Sequence, residues 1–197
     1  IAGFTPPTTA LSTYEQNEVL VSGSEYFSGT SGSYVEITNN TGLNLSGSQY
    51  TIEMWLKPAT TGAEQRILNK NGTTYGYLVY LSATNQVCFR TDSTNIIGTA
   101  TINTNEWSHI AVTNDGTTTR VYVNGALSGS ATGVTITNES LNLRIGNRLY
   151  NGLNPYKGHV SNVRIIKGTA LYTGSTYTVP TQPLTAVTNT SLLTFKN

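Results

Sequence analysis

Few residues of this chain have the type and spacing to do chemistry, and most of those stand alone. Glu53 lies in the run TIEMWLK, with Thr51 and Trp55 as its neighbours on one strand face and no second acid within several residues. Cleavage of a glycosidic bond takes two carboxylates about 5–9 Å apart, depending on mechanism. Glu53 therefore reads as a sheet-face carboxylate bonded to Lys57 or another neighbour. His109 and His159 are the only histidines and Cys88 is the only cysteine, which excludes a His-rich zinc cluster, a thiolate site and an internal disulfide. A Gly-x-Ser-x-Gly elbow and a phosphate-cradling Gly-Lys loop are also absent. No catalytic residue is assigned, the chain reads as a non-enzyme, and a glycoside hydrolase is the weakest alternative. His109 is expected to be a strand residue capping a local hydrogen-bond network. Cys88, in the alternating run QVCFRT, is expected to be a small buried side chain.

Sugar binding asks for less: aromatic platforms beside a few amides and hydroxyls. Twelve tyrosines are available. Tyr75, Tyr77 and Tyr80 form one candidate group. Tyr150 and Tyr156, in the run LYNGLNPY, form another, with Asn147, Asn151 and Asn154 beside them. The competing reading is that Tyr is a favoured strand residue whose ring covers the sandwich. The LYNGLNPY run is the stronger candidate, because its Asn, Gly and Pro mark an exposed loop and binding groups concentrate on such loops. The expected ligand-binding residues are thus Tyr150, Asn151, Asn154, Tyr156 and Asn147.

Behind these residues stands a composition made for strands and turns. Thr, Ser and Asn together exceed a third of the 197 residues, and the formal net charge is +1. With charged residues at only 11%, no global field draws the chain onto nucleic acid or an anionic membrane. No apolar run approaches the roughly 18 residues of a membrane span. Six acids fall within residues 1–64 with only Lys57 against them, whereas Arg144, Arg148, Lys157, Arg164 and Lys167 have no acid among them. That basic stretch is either a one-sided patch or scattered solvated side chains.

Period-2 alternation with turn punctuation recurs along the chain. It predicts strands at Ser33–Ile37, Thr51–Lys57, Arg66–Lys70, Gly76–Leu81, Gln86–Thr91, Trp107–Thr113, Arg120–Asn124, Leu141–Ile145, Gly158–Ile166 and Leu192–Phe195. Asn71-Gly72, Asp115-Gly116 and Asn124-Gly125 are pairs suited to tight hairpins. Ile110 and Val112 are expected to meet Val121 and Val123 across one such hairpin. Ile52, Met54 and Leu56 point to a core, and Thr51, Glu53, Trp55 and Lys57 to a partly wet outer face. Many short strands without a helical period mean a sandwich or closed barrel. Residues 1–22, with Pro6-Pro7 and the polar run STYEQNE, read as an arm or linker before a domain at 23–197. Phe4 to Leu11 also parallels Tyr177 to Leu184 as aromatic, Thr, any residue, Pro, Thr, two residues, Leu, which is either a coincidence in a Thr-rich chain or the tail of a preceding similar unit in a tandem array.

The segments FSGTSGSYVEI, YTIEMWLKP, WSHIAVTNDGTTTRVYVNG, LRIGNR and YKGHVSNVRIIKGTALYT, in this order over residues 26–173, resemble the laminin G-like members of the concanavalin A-like lectin and glucanase superfamily. The ending GTALYTGSTYTVPTQPLTAVTNTSLLTF is similar to versions in structural proteins of tailed bacteriophages and in some secreted bacterial adhesins. The resemblance implies an all-β, two-sheet antiparallel jelly-roll sandwich on a virion surface or outside the cell. It implies a binding or adhesion module for host-surface carbohydrate or, alternatively, a purely structural decoration of capsid, tail or fibre. In both cases other virion or fibre proteins would dock through the terminal segments, and a homo-oligomer stays open. Laminin G-like domains also hold calcium at the sandwich rim through Asp or Asn side chains and carbonyls. By this resemblance Asp92 and Asn95, in FRTDSTN, are the expected pair for one calcium ion, if any is bound, and Asp115 is a hairpin-turn residue.

Overall fold

The computed structural model describes residues 23–72, 76–149 and 151–196; the expected arm at 1–22 and its repeat-like octet lie outside them. Two antiparallel sheets account for nearly all regular structure. The seven-stranded sheet holds β1 (Ser24–Ser28), β3 (Tyr50–Pro58), β8 (Ser108–Asn114), β9 (Thr118–Val123), β10 (Ala126–Thr132), β12 (Lys157–Lys167) and β13 (Thr190–Thr194). Its order is β1-β12-β3-β8-β9-β10, with β13 beside β12. The six-stranded sheet holds β2 (Val35–Ile37), β4 (Gln65–Asn71), β5 (Gly76–Leu81), β6 (Gln86–Thr91), β7 (Asn95–Thr101) and β11 (Leu143–Ile145), in the order β2-β11-β4-β5-β6-β7. One 3-10 turn, Thr41–Leu43, is capped by the Asn40 side chain, which accepts from Gly42 N. This is the expected jelly-roll sandwich.

Alternation fills the space between the sheets. Ile52, Met54 and Leu56 of β3 and Ile110 and Val112 of β8 face Tyr77, Val79, Val87 and Phe89 in one continuous apolar core. Ile110 pairs with Val123 and Val112 with Val121, as the pattern required. Asn124 and Gly125 take φ of 48° and 82°, the left-handed pair of a tight hairpin. Gly125 is required twice over, because a Cβ there would stand 2.5 Å from the carbonyl oxygen of Tyr177.

The outer face of the seven-stranded sheet departs from expectation. Thr51, Glu53 and Trp55 are fully buried rather than partly wet. The segment 168–188, after β12, runs back across that face as a strap. Its Leu171 N donates to Thr51 Oγ1, its Tyr172 carbonyl accepts from Thr113 Oγ1, its Ser175 carbonyl accepts from Leu127 N, and its Leu184 N donates to Asn162 Oδ1. The ring of Tyr172 stacks on that of Tyr177 at 3.7 Å.

Three strands escaped the alternation reading: β1, β7 and β10. All three lie at sheet edges. Each buries few residues: Phe27 in β1, Ile96 and Gly98 in β7, and Ser128 in β10. Their Ser, Gly, Thr and Ala residues carry little hydrophobic contrast.

Candidate functional site

The acid that first invited a catalytic reading is locked. A bulge in β12 at Asn162, with φ of 51°, shifts its register so that Arg164 lies opposite Glu53. Arg164 donates from Nε and Nη2 to Glu53 Oε1 at 2.8 and 2.6 Å, and the Tyr172 hydroxyl donates to Oε2 at 2.8 Å. His109 Nε2 stands in contact with Oε2 at 3.4 Å, while Nδ1 pairs with the Tyr177 hydroxyl at 2.7 Å. Burial pushes the Glu53 carboxyl up, but the contacts with His109 and Arg164 outweigh it and hold it below its ordinary value. Lys57 is not its partner. No substrate reaches this carboxylate; its work is to hold the strap.

The expected calcium pair is not assembled. The Asp92 carboxylate is taken by N–H and O–H donors, accepting from Gly76 N and from the Thr137 amide and hydroxyl. Asn95 is the first residue of β7, not part of a loop, and its Oδ1 accepts from the Tyr80 hydroxyl at 2.9 Å. As placed, the two residues do not fit a calcium ion, and among the described residues no three His, Cys, Asp or Glu side chains gather for a metal. Asp115 is the expected turn residue: its Oδ1 accepts from Thr117 N and Thr118 N and its Oδ2 from Arg120.

The LYNGLNPY run divides. Tyr150 lies outside the described residues, as does Tyr75. Tyr156 is fully buried, with its ring against Phe27 and its hydroxyl donating to the His159 carbonyl, so it is a core residue and offers no platform. Asn147 is also buried, donating from Nδ2 to the Ser31 carbonyl. Tyr77 and Tyr80 are buried too, with their hydroxyls on the Leu43 carbonyl and on Asn95. The exposed Asn151 caps its own loop, accepting from Leu153 N. Asn154, at φ 55°, donates to Glu64 Oε1, and its carbonyl accepts from Arg66 N.

Asn154 nevertheless marks the best-equipped opening among the described residues. An open cleft of about 340 Å³ is lined by Thr60, Thr61, Glu64, Gln65, Asn154 and Lys157, with Gly29, Ala63 and Pro155 completing the wall. Hydroxyls, amides, one carboxylate and one ammonium face it, the inventory that reads a polyhydroxylated ligand. Behind Glu64 stand Arg66, at 3.1 Å, and Arg90, at 3.7 Å. A second cleft of about 350 Å³, at Ser46, Ser48, Tyr50, Asn114, Thr135 and Ile136, has no charged lining. Sequence reading missed Glu64, Arg66 and Arg90, because β4 to β6 pairing brings them together and each alone looks like a surface charge. It also missed Tyr26, half exposed, whose ring lies 4.8 Å from that of its cross-strand partner His159.

The laminin G-like family model described as concanavalin A-like lectin/glucanases superfamily matches residues 28–171. The chain belongs to that superfamily. Solved structures share the laminin G-like fold at low identity. A candidate carbohydrate-binding protein of Bacteroides ovatus matches at 21% identity over 76% of this chain and 44% of its own, with a TM-score of 0.62. This chain therefore spans less than half of that relative. The CBM40 module of a Ruminococcus gnavus IT-sialidase, bound to α2,3-sialyllactose, matches at 16% over 76% of this chain and 91% of its own, also with a TM-score of 0.62. Domain 4 of the Geobacillus stearothermophilus arabinanase AbnA, in complex with arabinotriose, matches at 18% over 75% and 83%, with a TM-score of 0.53. No curated protein sequence matches this laminin G-like chain.

Proposed function

We propose that this domain is a non-enzymatic carbohydrate-binding module working on a virion or cell exterior, carried by a structural protein of the tailed-phage kind and used in host attachment. The observation that carries the reading is the polar cleft at Asn154, whose lining of hydroxyls, amides and single charges suits a glycan. Glu64 is the one carboxylate in that lining, whereas a hydrolase would need two. Three structurally similar proteins are named for, or seen with, carbohydrate, which supports the reading further. The phage context rests on the carboxyl-terminal ending, the segment that forms the strap and β13. A purely structural decoration, docking to neighbouring chains through its terminal segments, is the competing reading.

The test is glycan-array and whole-cell binding by the isolated domain, with calcium and with chelator, beside the double variant Asn154→Gly/Lys157→Ala. Asn154→Gly keeps the left-handed backbone while removing the amide. Specific binding that the variant loses supports an attachment module with its site at this cleft. Binding that also survives chelation leaves recognition to protein groups alone. A folded domain that binds nothing under any condition leaves the decoration reading.

A further inference from the structure

The cleft has an excess of positive charge behind it that the fold does not consume. Arg66 leaves β4 on the outer face of the six-stranded sheet and is almost entirely buried. Its Nε donates to Glu64 Oε1, but its Nη1 has no acceptor. Arg148, which opens the loop ending at Asn154, likewise has a buried Nε with no acceptor. Arg90 reaches the same place from β6, stacked over the Tyr80 ring and bonded to its hydroxyl, with 35% of its side chain exposed. Burial lowers the Arg66 pKa despite Glu64, and the charges of Arg148 and Arg90 lower it further. Two guanidiniums, Arg66 and Arg90, therefore meet one carboxylate, the charge of Arg148 acts on Arg66 from behind, and Lys157 adds a further cation on the cleft wall.

Buried N–H donors are normally paired, and guanidinium donors pair best with oxyanions that accept two bonds side by side, carboxylates and tetrahedral phosphate-type groups alike. Glu64 already shows what the position accepts: its Oε1 takes Arg66 and Asn154, and its Oε2 lies toward Arg90. Only 27% of the Glu64 side chain is exposed, so it acts as an internal anion that a ligand group would join or displace.

Given the reading of this cleft as a glycan site, on which the inference rests, we infer that its ligand is an acidic saccharide whose carboxylate or sulfate is held by the exposed guanidinium of Arg90 and the ammonium of Lys157 beside Glu64, with the buried charge of Arg66 behind them. The neutral part of the sugar lies along Asn154, Thr60 and Thr61.

The experiment titrates the domain by calorimetry with three oligosaccharides of equal length: a uronic acid oligomer, a sulfated oligomer and a neutral one, each at low and at raised salt. At least one acidic oligomer binds, more tightly than the neutral one. Arg90→Ala, at the exposed rim of the cluster, weakens that binding about tenfold, the value of one charge-assisted hydrogen bond. Glu64→Gln removes the internal competitor and strengthens it several-fold. Lys196→Ala, beyond β13, leaves it unchanged. Whether the uronate or the sulfate wins names the oxyanion. A neutral oligomer that binds as well as the acidic ones, untouched by Arg90→Ala, overturns this inference and keeps the glycan reading. No binding of any of the three, with an empty glycan array, removes both. Equal weakening by Lys196→Ala and Arg90→Ala reduces the effect to diffuse charge and overturns the site.

Discussion

The two outer faces of the sandwich both carry arginine beside glutamate, and they use the pair in opposite ways. On the seven-stranded sheet Arg164 spends Nε and Nη2 on Glu53 and Nη1 on the Thr185 carbonyl, all beneath the strap. On the six-stranded sheet Arg66 and Arg148 keep buried donors without acceptors, and Arg90 is partly open to solvent. The lesson concerns how a buried charge is read. A guanidinium whose donors are all met by the chain itself holds structure; one that stays partly open to solvent beside a cleft, as Arg90 does, can still take a partner.

The most direct way to break the comparison is to cut the sealed pair. Arg164→Ala leaves Glu53 buried without its guanidinium partner, and the domain loses about 3–5 kcal/mol of stability, read from urea unfolding. Arg90→Ala, on the open face, changes stability by less than about 1 kcal/mol. Equal losses from the two variants would end the distinction between structural and functional arginines.

The strap offers a finer cut. Tyr177→Phe removes the hydroxyl on His109 Nδ1 and leaves a buried ring nitrogen unpaired, for a loss of about 1–3 kcal/mol. The aromatic stack on Tyr172 remains, so the core strands stay protected in hydrogen exchange while amides of 168–188 exchange faster. Uniform loss of protection would show that the strap and the sheet unfold as one unit.

Acid reports on the same contrast. Glu53 is held below its ordinary value of 4.5, so its contribution is fully present above that value and is lost as pH falls through the lowered one. Asp115 adds a separate step, because the Thr118 amide, Arg120 and the Thr117 amide lower its pKa from 3.8 to about 2. Acid titration of stability should therefore lose a turn contribution between 3.8 and about 2. Asp115→Asn removes that part of the slope and leaves the Glu53 part, with a loss at neutral pH of about 1 kcal/mol or less.

What the sequence made legible follows from how far apart the cooperating residues are. Core-facing alternation within TIEMWLK or WSHIAVT is local, so β3 and β8 and their inward residues could be read directly. The burial of Thr51, Glu53 and Trp55 could not, because it depends on a segment more than a hundred residues away whose Pro180 and Pro183 give no strand pattern. The edge strands β1, β7 and β10 were illegible for a different reason: few of their side chains are buried, and some buried positions are filled by Gly98 and Ser128, which carry no hydrophobic contrast. At the cleft, Asn154 was visible as a loop residue. Tyr156 in the same run was misplaced because a Tyr before a strand has the same local signature whether its ring turns out or in. Glu64, Arg66 and Arg90 needed the β4–β5–β6 pairing before they could be seen as one group.

The smallest effect on stability is expected where the binding reading is strongest. Asn154→Gly removes the amide that donates to Glu64 at 2.9 Å. It also places at φ 55° the residue that adopts a left-handed backbone most easily. The lost hydrogen bond is half-exposed and the relieved backbone strain has the opposite sign, so the two offset and the net change stays within about 1 kcal/mol. The Asn154 carbonyl, which accepts from Arg66 N, is untouched by the substitution, so the loop keeps its path. A loss as large as that of Arg164→Ala would mean that this loop, like the strap, is a structural tie and that the cleft beside it is a by-product of packing. Near-neutral stability with lost glycan binding would instead make Asn154 a group the fold can spare and the ligand cannot.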